Sequence, residues 1–406
     1  MKTFWVISGG IEAVPGIRRA KEMGFHVVVS DRDPEAPGFA FADDKIIADT
    51  YDAEATVQAA KEYYHKVRPI NGVMCIAADV PVTVASVADA LGLPGISLES
   101  ARLAMNKLEM KHCFAKSNIP IPWFSAVESL DHLKSMTNAR GFPLVLKPVD
   151  SRGARGVLKL EPGVDLNWAY QYALKYSPSG HVIVEEYLEG PQISTESIIM
   201  SDRAYTPGFT DRNYEHIDLF APYIIENGGQ QPSVLSTEQQ CFVAKLAEEA
   251  GRAMGIKRGI VKGDMVLTET GPRVIEIAAR LSGGWFSTDQ IPLATGVDLI
   301  AVAIKMATDE EVTEEEMIPR YQKGVAIRYF FPEHGKVVKI KNNEQFASTP
   351  WVHRLGIFVK PGDIIEPVTD HTKRAGFVIT EGATRDEAVA RAMEVVDTIQ
   401  FETVPV

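Results

Sequence analysis

Two acidic residues, Asp264 and Glu276, lie on either side of the turn-forming segment Glu269–Pro272. Apolar and polar residues alternate around this segment, which predicts a β-hairpin. If the turn lies at its middle, Asp264 is opposite Glu276 and Val266 is opposite Val274, with Cβ atoms about 5 Å apart. Two such carboxylates repel each other unless a cation lies between them, and Mg²⁺ on nucleotide phosphates suits this role. A pair of surface acids is the alternative interpretation.

The second predicted strand of this hairpin continues toward Arg280. Because side chains alternate along a strand, Glu276, Ala278 and Arg280 are expected on the same side. Arg280 would then provide the positive charge that the transition state of phosphoryl transfer needs.

A lysine followed by a glycine-containing loop is typical of a phosphate-binding segment. The apolar strand Phe142–Pro148 is followed by a loop with two glycines and two arginines. Glycine lets backbone N–H groups approach phosphate oxygens closely. The loop lacks the G-x-x-x-x-G-K-[ST] pattern, and a flexible hairpin with surface arginines is the alternative. The candidate nucleotide-binding residues here are Lys147, Ser151, Gly153, Arg155 and Gly156.

Another predicted strand, Val182–Glu186, ends in paired acids, an aromatic residue and a turn. Backbone groups at a strand end can bind the edge of an adenine while apolar neighbours enclose its ring, although this could also be an ordinary strand end. The candidate residues are Glu185, Glu186, Tyr187, Leu188 and Gln192.

Composition limits the class of protein. The chain has 406 residues, 45% of them hydrophobic, which predicts several domains with a real core. Its formal net charge of −12 argues against general binding to nucleic acid or anionic membranes. No apolar run approaches the roughly 20 residues that a membrane-crossing helix needs. The three cysteines show neither pairing nor metal-ligand spacing, as in a cytoplasmic protein.

The first hundred residues alternate short apolar strands with helices, which predicts a parallel, doubly wound sheet. The segment Gly9–Gly16 after the first strand is not a G-x-G-x-x-G fingerprint, so a nicotinamide cofactor is not expected. The predicted strands here are Phe4–Ser8, Phe25–Ser30 and Gly72–Ile76, and the predicted helices are Val14–Met23, Glu54–Lys66 and Pro81–Leu91.

Taken together, these segments resemble the ATP-grasp superfamily over most of the chain. The resemblance implies a mixed α/β and α+β fold in three parts. These are a doubly wound N-terminal (pre-ATP-grasp) domain at 1–105, an ATP-grasp core of two α+β subdomains at 106–310, and a small, biotin-carboxylase-like C-terminal α+β module at 311–406. It also implies that Lys107 and Lys147 bind nucleotide phosphates and that Asp264 and Glu276 bind Mg²⁺ (or Mn²⁺).

Within the superfamily, Asp211-Arg212, the segment Pro222–Gly228 and the turn Arg280–Gly284 resemble carboxylate–amine ligases of the L-amino-acid ligase type. This resemblance implies that Glu226 helps to bind the substrate amine. It further implies that Arg280, with the backbone of Gly283 and Gly284, holds a carboxylate or an acyl phosphate. Trp285 is a candidate for the substrate pocket, with core packing as the alternative.

One position departs from the superfamily pattern Glu-x-Asn-x-Arg. Ala278 stands where that pattern has a metal-binding asparagine. Alanine provides no ligand oxygen, so the number of bound Mg²⁺ ions is left open.

The expected activity is an ATP-dependent, ADP-forming ligation of a small carboxylate, most simply an amino acid, to an amine through an acyl phosphate. Activation of bicarbonate or formate, as in purine-pathway relatives, is one alternative. A regulator that binds ATP without turnover is another. The expected partners are small molecules, and relatives suggest a homodimer.

Overall fold

The structure, a computed structural model, describes residues 1–406. Four parallel strands form its first sheet, in the order β3-β2-β1-β4. The strands Thr3–Ile7, His26–Asp31 and Gly72–Cys75 are mostly apolar and buried, because helices cover both faces of such a sheet. The edge strand Asp44–Ile47 is partly exposed. The elements are β1 (Thr3–Ile7), α1 (Val14–Glu22), β2 (His26–Asp31), β3 (Asp44–Ile47), α2 (Ala53–Lys66), β4 (Gly72–Cys75), α3 (Pro81–Leu91) and α4 (Leu98–Met105).

Local signals explain where these helices begin and end. Pro15 lies in the first turn of α1, where its missing N–H costs no hydrogen bond. The Asp52 side chain accepts a hydrogen bond from the Ala55 N–H and caps α2. Gly92 ends α3 with a left-handed backbone (φ 65°). The six elements predicted from the alternation are all present, within one or two residues at their ends.

A second sheet of four antiparallel strands has the order β5-β8-β6-β7. Two helices pack on it through a core that includes Leu133, Leu146 and Ala173. The elements of this part are α5 (Lys107–Lys116), β5 (Phe124–Val127), α6 (Leu130–Arg140), β6 (Leu144–Pro148), β7 (Leu158–Leu160), α7 (Leu166–Lys175) and β8 (Val182–Glu186).

The largest sheet has eight strands, and its strands come from both sides of residue 310. The remaining strands are β9 (Gln192–Ile199), β10 (Ala204–Arg212), β11 (Gly229–Gln231), β12 (Gly259–Thr268), β13 (Gly271–Ala278), β14 (Gly324–Phe330), β15 (Gly335–Lys341), β16 (Val352–Ile357), β17 (Ile364–Ile365), β18 (Gly376–Gly382) and β19 (Gln400–Val404). The eight-stranded order is β13-β12-β9-β10-β11-β14-β18-β16, and β17-β15-β19 form a small separate sheet.

Four further helices complete the fold: α8 (Thr237–Ala253), α9 (Ile291–Thr295), α10 (Leu299–Ala307) and α11 (Arg385–Thr398). Helix α10 packs against α1 and β4, so one apolar core joins the first sheet to residues near 300. The boundaries expected at 105 and 310 therefore stay predictions, because a core and a sheet continue across them. No helix has the length and apolar character required to cross a membrane.

Candidate active site

A cavity of about 410 Å³ lies between the two four-stranded sheets and the eight-stranded sheet. It is lined by equal numbers of cationic and acidic side chains, although the chain as a whole carries a net charge of −12. The charges of the lining therefore balance, and its cations can pair with a polyanion at short range although the chain as a whole is acidic. The cations are Lys107, Lys147, Arg152, Arg212, Lys262, Arg280 and Arg374, and the acids are Glu12, Asp79, Glu185, Glu186, Glu226, Asp264 and Glu276.

The predicted acid pair lies on the hairpin of β12 and β13. Asp264 is directly opposite Glu276, as predicted, and both side chains line the cavity. The predicted pairing of Val266 with Val274 is wrong: Val266 lies opposite Arg273. A bulge after Asp264 adds one residue to β13 and shifts the register beyond that point.

Asp264 has three polar neighbours. The Ser194 hydroxyl donates to its Oδ1 at 2.5 Å, the Lys262 ammonium donates to its Oδ2, and an Arg212 nitrogen lies 3.5 Å from Oδ1. Burial by itself would raise the pKa of Asp264, but Lys262 and Arg212 hold this pKa well below its usual range. The carboxylate is therefore ionised at neutral pH.

The acid pair is chemically suited to Mg²⁺. The second carboxylate, Glu276, lies 3.2 Å from the Lys107 ammonium, so each of the two acids is paired with a cation. No group of three or more His, Cys, Asp and Glu side chains in residues 1–406 is arranged so that it could hold a metal ion by itself. Two carboxylates without a complete protein cage match an ion that keeps phosphate and water oxygens as its other ligands.

The predicted phosphate lysines come from different elements and reach the same cavity. Lys107 begins α5, and its ammonium donates to the Ser151 carbonyl at 2.9 Å. Lys147, near the end of β6, forms an ion pair of 2.8 Å with Glu185 on β8. Sequence reasoning missed a third lysine, Lys111, which lies 3.5 Å from Glu185. Its position four residues after Lys107, on the same helix face, was the available signal.

Glu185 is buried between Lys111 and Lys147. Burial would raise its pKa, but Lys111 and Lys147 lower this pKa below the usual range. Burial lowers the pKa of Lys111 to about 8, against the attraction of Glu185, so Lys111 is charged near neutrality. The Glu185 carboxylate therefore holds the lysines in place. The predicted adenine-binding residues that follow it all line the cavity: Glu186, Tyr187, Leu188 and Gln192.

The glycine-containing loop between β6 and β7 (residues 149–157), called the glycine loop below, lies partly at the cavity. Ser151 and Gly153 line it, whereas Arg155 and Gly156 do not. Gly156 has a left-handed backbone (φ 75°), and a Cβ there would lie 2.7 Å from Pro148, so this glycine serves the turn itself. The Arg155 Nε donates to the Arg152 carbonyl at 3.0 Å, which keeps Arg155 within the loop.

The same loop contacts the first and last parts of the chain. The His371 N–H donates to the Gly153 carbonyl at 3.0 Å. The Arg152 guanidinium lies 4.0 Å from the centre of the Tyr51 ring, a cation–π distance. The loop is therefore closed over the cavity.

Another part of the cavity wall combines both charges. Arg280 donates to Asp79 at 2.7 Å through its Nε. Burial would raise the pKa of Asp79, but Arg280 lowers this pKa below its usual range. The Gly284 N–H donates to the Glu12 carboxylate at 2.7 Å, and a Cβ at Gly283 would lie 2.8 Å from the same carboxylate. Burial raises the pKa of Glu12.

Glu226, the predicted ligand of the substrate amine, also lines the cavity but is already paired. Arg212 donates to one of its carboxylate oxygens at 3.1 and 2.6 Å. The Arg374 guanidinium donates to the Glu226 carbonyl at 2.5 Å and lies 3.6 Å from the centre of the Tyr329 ring. The Glu226 N–H points at His371 Nε2 at 3.3 Å, and burial lowers the pKa of His371 well below its usual value. His371 is therefore neutral.

Trp285 lies in the core and not at the cavity wall, which argues against its predicted contact with substrate. Its ring is 2% exposed and stacks on Phe377 at 3.7 Å between ring centres. Phe286 and Gln290, which follow it, line the cavity instead.

The fold and this site together define a class of enzyme in which two α+β units enclose a nucleotide between a lysine-bearing sheet and an acid-bearing hairpin. Three family models match the chain: an ATP-grasp N-terminal domain at residues 17–95, an ATP-grasp domain at 104–284, and the L-amino acid ligase C-terminal domain 2 at 328–404. The chain belongs to the ATP-grasp superfamily, in its carboxylate–amine ligase branch, whose enzymes form ADP.

Individual relatives are similar at lower identity. The uncharacterized protein y4rH of Sinorhizobium fredii is 26% identical over 96% of this chain and 80% of that protein. D-alanine–D-alanine ligase of Marinobacter nauticus is 25% identical over 59% of this chain and 69% of that protein. The crystal structure of L-amino acid ligase from Bacillus licheniformis matches with a TM-score of 0.84 at 20% identity, over 100% of this chain and 99% of that one. That likeness shows the shared fold.

Proposed function

We propose that the chain activates the carboxylate of an amino acid with ATP and joins it to an amine, giving an amide, ADP and phosphate. The observation that carries this proposal is the continuity of one cavity of about 410 Å³. Lys107, Lys147 and the acid pair line it, and so do Arg280 and Glu12. A zwitterionic substrate matches a wall with charged groups of both signs. The L-amino acid ligase of Bacillus licheniformis supports the same assignment through its fold.

In this proposal Lys107 and Lys147 neutralise the ATP phosphates, helped by backbone groups of Ser151 and Gly153. Asp264 and Glu276 would hold Mg²⁺ (or Mn²⁺), which supplies positive charge at the phosphates. Adenine would lie against the strand end that follows Glu185. Glu185 itself fixes the direction of the Lys147 ammonium through their 2.8 Å ion pair.

The chemistry has two steps. An oxygen of the substrate carboxylate attacks the γ-phosphorus, the bond from this phosphorus to the bridging oxygen of ADP breaks, and an acyl phosphate forms. The amine nitrogen then attacks the acyl carbon, and phosphate leaves with the proton that the amine gives up. Arg280, held by Asp79 at 2.7 Å, stabilises the charge on the transferring group. Positioning and electrostatics supply the rate enhancement.

Exclusion of water is part of this function, because an acyl phosphate that meets water is hydrolysed. The glycine loop provides the cover through the Gly153–His371 hydrogen bond of 3.0 Å and the Arg152–Tyr51 contact of 4.0 Å. The two contacts join this loop to the first and the last parts of the chain.

The test is phosphate release from Mg-ATP across a panel of amino acids, supplied singly and in pairs. We expect release that requires a carboxylate and an amine together and that disappears in Glu276→Ala. Glu269→Ala is the matched control, because Glu269 is an exposed acid at the turn of the same hairpin. Equal release without any amino acid, or full activity in Glu276→Ala, would contradict the proposal.

A further inference from the structure

Lys262 is a cavity-lining lysine for which the proposed reaction has no role so far. It lies two residues before Asp264 on β12, so both side chains are on the same face of the strand. On the neighbouring strand β13 it lies directly opposite Ala278. Its ammonium donates a hydrogen bond to Asp264 Oδ2. The lysine therefore extends along the hairpin from the position opposite Ala278 toward the proposed metal site.

Enzymes that transfer phosphoryl groups often use two metal ions, which requires enough oxygen ligands for both. A carboxylate has about four lone pairs that can accept hydrogen bonds or bind metal. On Asp264, Ser194 and Lys262 already donate hydrogen bonds to two of them, and an Arg212 nitrogen lies 3.5 Å from Oδ1. Glu276 is the second candidate ligand, and no His, Cys, Asp or Glu side chain joins the two acids as a third. The carboxylate oxygens that remain for metal binding suit one divalent cation and are too few for a second.

We propose that the Lys262 ammonium takes the place of a second metal ion, and that the site binds a single divalent cation with each nucleotide. The ammonium is a compact point charge with three N–H donors. It can contact phosphate oxygens on the side where the Ala278 methyl group provides no metal ligand. It also repels another dication from that position. This inference rests on the proposed binding of ATP.

The experiment counts Mn²⁺ ions bound per chain, by electron paramagnetic resonance, with a saturating nonhydrolysable ATP analogue. We expect one Mn²⁺ in the wild-type protein, and still one in Ala278→Asn, because Lys262 remains. The double variant Lys262→Met with Ala278→Asn should bind two, with the spin–spin coupling of ions about 4 Å apart. Lys245→Met, at an exposed lysine on α8, is the matched control and should bind one.

Two coupled Mn²⁺ ions in the wild-type protein would overturn the inference while leaving ATP binding intact. A second ion in Ala278→Asn alone would also overturn it, because the lysine would then be compatible with two metals. Failure of the wild-type protein to bind the nucleotide analogue would contradict the proposed function itself. If the double variant does not fold, Lys262→Gln with Ala278→Asn makes the same comparison, and a thermal melt of each variant identifies unfolding.

Discussion

Two parts of the cavity wall are held together in different ways. We call the part with Lys147, Glu185 and the acid pair the nucleotide end, and the part with Arg280 and Glu12 the substrate end. At the nucleotide end, Lys147 and Glu185 come from adjacent strands of one small sheet, and Asp264 and Glu276 from one hairpin. At the substrate end, Arg280 meets Asp79 across 201 residues of sequence. Likewise, the backbone of Gly284 meets Glu12 across 272 residues.

This difference separates stability from specificity. Pairs within a sheet form whenever the sheet forms, so most of the nucleotide end is part of the folded core, and the Lys107–Glu276 ion pair between α5 and β13 is its long-range contact. Pairs between distant segments depend on how the large parts of the chain pack together, so small changes there can alter the substrate without disturbing ATP binding. The predictions below test that separation, beginning with the largest expected effect.

Replacing Glu185 with glutamine should destabilise the nucleotide end most. Glu185→Gln leaves the buried ammonium groups of Lys111 and Lys147 without an anionic partner, which we expect to cost about 3–5 kcal/mol. Urea unfolding measures the loss. Glu186→Gln is the matched control, because this neighbouring acid is exposed and its change should cost less than about 1 kcal/mol. Equal, small losses in both variants would mean that the lysines are not held by Glu185.

The nucleotide end was largely predictable from the sequence, because strand periodicity carries its geometry. Asp264 opposite Glu276 followed from the position of a turn and the two-residue repeat of a strand. The bulge beyond Asp264 was missed, although the consecutive apolar residues Val274 and Ile275 interrupt the alternation at that point. The burial of Lys111 was also missed, because a lysine on a charged helix looks exposed until its partner strand is known.

The substrate end was much less predictable. Glu12 follows a glycine pair after β1, at the edge of the sheet where such folds bind ligands, but no pattern linked it to Gly284. Arg374 lies far along the chain, and its approach to Glu226 depends on the packing of the C-terminal strands. Trp285 illustrates the same limit: its neighbours in sequence line the cavity, while its own ring packs on Phe377.

A buried acid behind the substrate end should make stability depend on pH. Glu196 accepts hydrogen bonds from the N–H and the hydroxyl of Ser282, and no cation is in contact with it. Burial raises its pKa to about 7, so the folded protein holds a proton that the unfolded chain releases near pH 4.5. The stabilisation that the protonated Glu196 gives to the folded state is fully present at low pH, and it is lost as the pH rises from about 4.5 through 7.

The variant Glu196→Gln removes this titration. Its stability relative to the wild-type protein should therefore increase by about 2–3 kcal/mol between pH 5 and pH 8. Urea unfolding at four pH values across that range measures the difference. Parallel curves of stability against pH for the two proteins would show that Glu196 is ionised over this whole range, as Glu185 is. The two ends would then not differ in the ionisation of their buried acids.

The smallest expected effect concerns Arg374 and tests whether the two ends act independently. Its guanidinium lies 3.6 Å from the centre of the Tyr329 ring and donates to the Glu226 carbonyl at 2.5 Å, on the cavity wall beside Arg280. In Arg374→Met, we expect kcat/KM for the carboxylate substrate to fall about tenfold, equivalent to about 1.4 kcal/mol. The affinity for ATP should stay within about threefold of the wild-type value, because no pair at the nucleotide end includes Arg374.

Lys373→Met is the matched control for Arg374→Met, since Lys373 is the adjacent residue and pairs with Glu366 away from the cavity. Steady-state kinetics with each substrate varied in turn, together with a direct ATP-binding measurement, separates the two ends. A parallel loss of ATP affinity in Arg374→Met would mean that the charges of the cavity act as one electrostatic unit. In that case, the position of a pair along the sequence would not determine which ligand it serves, and substrate specificity could not be changed without weakening ATP binding.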